Sequence, residues 1–125
     1  MGRISRIGLV AMVMIATTSY AVSARWTQMR AEMQRIPQFE NDHAVSWRSV
    51  IPPHTESTLH RHDRRRVIVG IVGGDLKTVT AAGDATVTHY ETGKAYWQEP
   101  MPAGVMHKDV NDTNRAIEIV VVELR

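Results

Sequence analysis

The sequence predicts an all-β protein that forms one small barrel or sandwich of short strands. From residue 44 onward, apolar residues alternate with polar ones or form short β-branched runs. Glycine, proline and small polar residues separate these runs at short intervals, as they do in turns between strands. The chain has 125 residues, of which 43% are hydrophobic, which is enough for one domain and too little for two.

The strands are predicted in order from these alternating or β-branched segments. The segment 44–51 ends at two prolines, and the strongly apolar segment 67–72 ends at two glycines, because both residue types interrupt strands. Shorter segments follow, and an apolar run at the C-terminal end is the last strand. These remaining segments cover 75–80, 85–90, 93–97, 105–109 and 116–124.

The first 24 residues have the pattern of a secretory signal peptide. Arg3 and Arg6 form a basic start, an uncharged apolar run covers 7–21, and small residues up to Ala24 offer a cleavage site. The apolar run is shorter than the roughly 20 residues that a membrane-spanning helix needs, so an uncleaved anchor is the less favoured alternative. We therefore expect a periplasmic or secreted protein with no stable membrane span after cleavage.

A short N-terminal arm is predicted over 25–38. Apolar residues recur there at three- and four-residue intervals from Trp26 to Ile36, which is typical of an amphipathic helix or turn, and Pro37 ends it. The apolar stripe is expected to pack against the domain or a second subunit. An extended arm can add a strand to a neighbour's sheet, so we expect a homodimer. The barrel domain then covers 39–125.

The composition of the mature chain limits the kinds of molecule that it is expected to bind. Removal of Arg3 and Arg6 from the 15 Lys and Arg leaves 13, which equals the 13 Asp and Glu, so the mature protein is formally neutral. The one basic run, 61–66, has no interleaved aromatic residue, so a nucleic-acid partner is not expected. Because the chain has no cysteine, nitrogen and oxygen atoms must hold any metal ion.

Three histidines are the candidate metal ligands. Alternate side chains of an extended strand share a face, so His60 and His62 can bind one ion, and His107 has to arrive from a neighbouring strand. Imidazole is the commonest protein ligand for a transition metal, and three of them leave positions open for a substrate. The same set accepts Zn, Fe, Mn, Ni or Cu. The alternative is a metal-free pocket in which the histidines only form hydrogen bonds.

Read together, the two histidine segments resemble the two conserved motifs of the cupin superfamily, the small jelly-roll barrels. The first motif follows an HxH pair with a glutamate and a glycine, and the second joins a proline, a glycine, a histidine and an asparagine. The residues in register are His60, His62 and Gly73 in the first motif and Pro102, Gly104, His107 and Asn111 in the second. The resemblance covers 43–124 and implies a compact bacterial cupin with three histidine ligands.

Three positions depart from these motifs. His54 stands where the first motif opens with glycine, and Gly93 comes earlier than the second motif requires, which leaves room for an insertion at 98–101. Both changes affect loops at the barrel mouth. Arg66 stands where the resemblance places the glutamate ligand. A guanidinium within about 5 Å of a divalent ion opposes metal binding by on the order of a few kcal/mol at an effective dielectric constant near 20.

Arg66 has two interpretations. It either binds an anionic group of a small-molecule ligand, since the planar guanidinium suits bidentate capture of a carboxylate, or it forms an ion pair with Asp63 or Asp109. The predicted substrate-binding residues are Arg66, Trp47 and Tyr96. The carboxylates that could serve as a base are Glu56, Glu99 and Asp109; His54 and His89 are expected to be surface histidines.

The resemblance implies an exported protein that binds a divalent transition metal and acts on a small acidic molecule. Cupins with this site include dioxygenases, isomerases and decarboxylases, and the fold does not select among them. Two alternatives stay open at this point. One is a non-catalytic module that stores or senses a metal or an anion, and the other is a structural barrel with an empty pocket. The sequence does not decide whether the protein is an enzyme.

Overall fold

The computed structural model of the protein describes residues 32–125. Within this range the chain forms nine β-strands and no helix, so the predicted all-β class is confirmed and no segment is a long apolar helix that could cross a membrane. The strands β1 to β9 are Gln34–Glu40, Ala44–Ile51, Thr55–Glu56, Arg66–Val72, Gly74–Thr80, Ala85–Tyr90, Ala95–Gln98, His107–Asn111 and Ile117–Leu124.

The strands form two antiparallel sheets that pack face to face. One sheet has five strands in the order β1-β2-β9-β4-β7, and the other has four in the order β3-β8-β5-β6. Alternate residues of strands from both sheets point between them, as the pleat of a strand requires. The resulting buried core consists of Trp47, Ile51, Ile68, Leu76, Tyr90, Ile117, Ile119 and Val121.

The alternation continues past the apolar core and places polar side chains at one end of the barrel. In β4, Ile68 is a core residue and Arg66 lies two positions before it, also buried. In β9, Val121 is a core residue and Glu123 lies two positions after it. Because Arg66 pairs with Glu123 across β4 and β9, these inward-facing charges meet at the same end of the fold.

Strand β1 corrects the prediction for the arm. Residues 34–38 belong to a strand that pairs with β2, so the expected helix or turn is wrong there, and Pro37 lies within the strand opposite Trp47. Proline is tolerated because β1 is an edge strand, where a missing amide donor need not leave a partner unpaired. Residues 1–31 lie outside the described residues, so the signal peptide, export and dimer stay predictions.

Two glycines of the cupin-like motifs have structural reasons. Gly104 has a φ of 75°, which favours glycine, and it lies in the turn where the Val105 amide donates to the Pro102 carbonyl at 3.2 Å, just before β8. A Cβ atom at Gly73 would lie 2.3 Å from the carbonyl oxygen of Tyr90, so a side chain there would force the backbone apart. Gly104 therefore allows the sharp turn before β8, and Gly73 allows the backbone after β4 to lie close to the backbone of Tyr90.

Candidate metal and anion site

His60, His62 and His107 come together as predicted. Each offers a ring nitrogen, and these three atoms lie within 4.8 Å of one another. The ring centroids are 4.6 Å apart for His60 and His107, 4.9 Å for His60 and His62, and 5.4 Å for His62 and His107. The donor set is three nitrogen ligands around one point, which fits a transition metal ion.

Backbone pairing, rather than a continuous strand, positions the histidines. The amide of His60 donates to the carbonyl of His107 at 2.8 Å, and the amide of His107 donates to the carbonyl of His60 at the same distance. His62 lies outside the strands, in the segment between this bridge and β4. The predicted arrival of His107 from another strand is confirmed, whereas the extended strand expected through His62 is replaced by irregular chain.

The tautomer of His60 leaves its Nε2 atom free to bind a metal. The Nδ1 atom lies 2.9 Å from the carbonyl oxygen of Thr58, and since a carbonyl only accepts hydrogen bonds, Nδ1 carries the proton. The Nε2 atom of neutral His60 is therefore a lone-pair donor. It faces Nε2 of His107 at 3.1 Å, so in the metal-free state His107 donates to it. An ion would replace that proton and accept both lone pairs.

The surroundings keep two of the histidines neutral. Burial, together with the smaller effects of the charges of Arg66, His60, His107 and Arg35 in that order, lowers the pKa of His62 to about 3. Burial also lowers the pKa of His107, although the Asp109 carboxylate opposes this shift. Metal ligation requires imidazole that is not in its cationic form, and at neutral pH neither ring carries the second proton that would first have to leave.

The histidines line an open cavity of about 1170 Å³ between the sheets. Its walls include apolar core residues such as Trp47, Ile68 and Leu76, together with polar residues such as Thr78 and Thr88. The apolar residues form its inner end, and polar and charged residues supply the groups that could orient a bound molecule. The cavity has room for both an ion and a small ligand.

Arg66 lies in this cavity wall and not at a solvated rim. Only 7% of the residue is exposed, and its buried Nε atom has no hydrogen-bond partner among residues 32–125. Burial lowers the pKa of the guanidinium, against the raising effects of Asp109, Glu123 and Tyr90. No salt bridge joins it to Asp63, which pairs with Arg61 instead. A buried guanidinium that forms no ion pair with the surrounding residues can bind an incoming anion.

Two further charged residues belong to the site and were missed from the sequence. Glu123 places Oε2 3.8 Å from Nδ1 of His62 and lies opposite Arg66 across two strands. Arg35 lines the cavity from β1, with its guanidinium carbon 3.4 Å from the centre of the Trp47 ring. In the sequence, only their position on the inward-facing side of an alternating strand indicates this placement. For Arg35, the three- and four-residue spacing of nearby apolar residues predicted a helix instead of a strand.

The other predicted residues divide between the cavity and the surface. Trp47 lines the cavity. Tyr90, which is not among the predicted substrate-binding residues, lines it too, and burial together with the Asp109 charge raises the pKa of Tyr90 to about 12. Tyr96 is not among the lining residues; its hydroxyl accepts from the amide of Glu91 at 2.8 Å and donates to the carbonyl of His89 at 3.2 Å. Tyr96 therefore does not contact the cavity in the described structure, and its predicted substrate-binding role has no support there.

Four candidate side chains are exposed, and three of them, His54, Glu56 and Glu99, also border the open cavity. Glu56 pairs with Lys108 at 2.7 Å and Glu99 pairs with Arg65 at 3.1 Å, and both are largely exposed. His54 contacts Asn114 at 2.8 Å and His89 contacts Asp75 at 2.5 Å, again at the surface. Of the three carboxylates considered as a base, Asp109 alone lies beside the histidines.

Asn111 fixes the strand that carries His107. It is fully buried, and its amide group donates to the carbonyls of Ile51, Pro52 and Arg115 at 2.9, 3.1 and 2.8 Å. Its side-chain oxygen accepts from the amide and hydroxyl of Thr113. These contacts give Asn111 a supporting role, since they hold the end of β8 against two loops.

Comparison with known proteins identifies the fold. No protein-family profile and no curated protein matches the sequence. Among solved structures, a cupin domain from Bordetella pertussis Tohama I has a TM-score of 0.67 at 24% identity, over 77% of this chain and 96% of that chain. An RmlC-like cupin family protein from Methanocaldococcus jannaschii has a TM-score of 0.57 at 14% identity, over 78% and 84% of the two chains.

A third similar structure is that of an enzyme. The polyketide cyclase RemF from Streptomyces resistomycificus has a TM-score of 0.55 at 18% identity, over 74% of this chain and 65% of that chain. At such identities the likeness establishes the fold and leaves the reaction undetermined. The two sheets and the three clustered histidines agree with it. The chain therefore has the cupin fold, the double-stranded β-helix that its two motifs predicted.

Proposed function

We propose that the protein binds a divalent transition metal through His60, His62 and His107, and binds a small anionic molecule at that metal. The observation that carries the proposal is the convergence of three ring nitrogens within 4.8 Å in the wall of a cavity. An ion in such a site supplies Lewis acidity to the molecule bound there. The chain's own residues supply the orientation of that molecule and its separation from water.

Arg66 supports the choice of an anion as the ligand. Its charge is buried in the same cavity and lacks an ion pair among residues 32–125, so an incoming carboxylate would satisfy both the guanidinium and the metal. Arg35 adds a second positive charge on the β1 side of the cavity. A neutral ligand would leave the buried guanidinium without a counter-charge.

Titration of the metal-free, untagged full-length protein with zinc chloride at pH 7 tests the metal site. We expect one equivalent to bind with a dissociation constant of about 1 μM or below, because two of the rings are held neutral and His60 presents a free Nε2. Isothermal titration calorimetry and elemental analysis after dialysis measure the stoichiometry. Binding of less than about a tenth of an equivalent would contradict the proposal.

Exchange of Arg66 for glutamine tests the anion. In the zinc-loaded protein, Arg66→Gln should weaken binding of malonate by about 10-fold or more, because a charge-assisted hydrogen bond is worth roughly 1.5–3 kcal/mol. The same variant should bind zinc more tightly than the unchanged protein, because a positive charge has been removed.

Two controls accompany this exchange. Arg64→Gln removes an exposed arginine of the same basic run and should leave both affinities within about threefold, since surface charges are largely screened. Malonamide, which is uncharged, should not distinguish the two proteins. Equal malonate binding by Arg66→Gln and the unchanged protein would remove the guanidinium from the ligand site.

Binding without turnover is the second candidate function. The observation that favours it is the position of the three candidate bases, because Glu56 and Glu99 pair with surface cations and, of the three, only Asp109 lies within 4 Å of a histidine ring nitrogen. A catalytic role needs a base within hydrogen-bond reach of the substrate. Product analysis by mass spectrometry, after incubation of metal-loaded protein with a panel of small carboxylates, separates the two functions.

A further inference from the structure

We propose that Asp109 supplies the acidic ligand of the metal site, from β8 rather than from the β4 position that Arg66 occupies. The inference rests on the proposed metal site and deepens it. It assigns the ion three nitrogen ligands and one carboxylate oxygen. It also explains how a site can lack an acidic residue at the start of β4 and still offset the charge of a divalent ion.

Strand geometry places Asp109 on the correct face. His107, Asp109 and Asn111 alternate along β8, so their side chains share one side of the strand, and the outer two are buried. The Asp109 side chain is 23% exposed and lines the same cavity as the histidines. Its backbone is held by Ser57, whose hydroxyl accepts from the Asp109 amide at 2.9 Å and whose own amide donates to the Asp109 carbonyl at 2.9 Å.

The two distances measured from Nε2 of His60 agree with an ion shared by His60, His107 and Asp109. Ligand atoms that bind one tetrahedral ion at about 2.1 Å are about 3.4 Å apart. Nε2 of His60 lies 3.1 Å from Nε2 of His107 and 3.6 Å from Oδ2 of Asp109. The lone pair on Nε2 of His60 is therefore flanked by a nitrogen and an oxygen at about the spacing that two further ligands would have.

The carboxylate is also uncommitted. Among residues 32–125, its oxygens accept no hydrogen bond, and the only side-chain nitrogen of a basic residue within 4 Å is Nε2 of His60, at 3.6 Å. A carboxylate that is three-quarters buried loses most of its hydration and gains from a cation nearby. The neighbouring Glu123 faces the Nδ1 side of His62, where it can orient that ring instead of binding the ion.

The exchange Asp109→Asn tests the inference, because it removes the charge and keeps the size of the side chain. We expect zinc to bind at least about tenfold more weakly, measured by calorimetry on the full-length protein. The visible absorption of the cobalt-loaded protein should also change in position or intensity, since the ligand set changes. Asp109→Glu, which retains a carboxylate, should recover part of the zinc affinity.

Asp63→Asn is the matched control. It removes the same charge one residue after His62, from a side chain that is 67% exposed and outside the cavity lining. Zinc affinity and the cobalt spectrum should stay close to those of the unchanged protein. Far-UV circular dichroism of every variant confirms that the barrel is folded before metal is added.

The outcomes separate this inference from the proposed function. If the unchanged protein binds no zinc, the metal site itself is absent. If it binds zinc and Asp109→Asn leaves the cobalt spectrum unaltered, with or without a change in affinity, Asp109 acts at most as a nearby charge and the ligand assignment is overturned. A changed spectrum together with weaker zinc binding supports the assignment.

Discussion

Replacement of both His60 and His107 by alanine should lower zinc affinity by at least about a thousandfold. Zinc sites with four protein ligands have apparent binding free energies of roughly 10–16 kcal/mol, which is about 2.5–4 kcal/mol for each ligand. Loss of two ligands therefore removes about 6 kcal/mol, and every 1.4 kcal/mol is a factor of ten. His62 alone would remain of the three ring nitrogens that converge in the cavity.

The measurement is calorimetric titration with zinc chloride, and the control is a double variant elsewhere on the surface. His43→Ala with His89→Ala removes the same number of imidazoles from exposed positions outside the site. This control should bind zinc as the unchanged protein does. If the control and the His60, His107 variant lose affinity equally, zinc binds to surface histidines and the cavity holds no ion.

Asn111→Ala should lower the free energy of unfolding by about 3–5 kcal/mol. The side chain is fully buried and makes five hydrogen bonds, three of them as the donor to backbone carbonyls. Truncation leaves those carbonyls without this donor, and each unsatisfied buried group costs about 1–3 kcal/mol, less whatever entering water recovers. A cavity left by the lost atoms adds to the cost.

Urea denaturation followed by circular dichroism measures this change, with Asn114→Ala as the matched control. Asn114 is exposed and contacts His54, so its loss should change stability by no more than about 0.5 kcal/mol. Asn111→Asp should fall between the two, because it retains the acceptor and loses the donor group. Equal stability of Asn111→Ala and Asn114→Ala would show that the buried hydrogen bonds do not hold β8 in place.

The strands were predictable where one face is buried. Ala44–Ile51 was predicted with the bounds that the structure has, and the last strand begins at Ile117, one residue after the predicted start. Both were predictable because period-two alternation shows which side chains face the core. Gln34–Glu40 was not predicted as a strand. As an edge strand it is largely exposed, so its few apolar residues give no alternation and their spacing imitates a helix.

The metal ligands were predictable, and their surroundings were not. The two histidine motifs were enough to predict that His60, His62 and His107 lie close together. The charged residues around them depend on which strands are neighbours. Asp109 comes near His60 because β8 lies beside the chain that enters from β3, and Glu123 meets Arg66 because β9 pairs with β4 in that register.

The sequence by itself determined an all-β fold and the three histidines that can bind a metal, because strand periodicity and motif spacing are local properties of the chain. The tertiary structure decided the rest. It buried Arg66, which forms no ion pair within residues 32–125, and placed Asp109 next to His60 and Glu123 next to His62. Burial and charge pairing arise from strand order and register between distant segments, and these determine the electrostatics on which metal and anion binding depend.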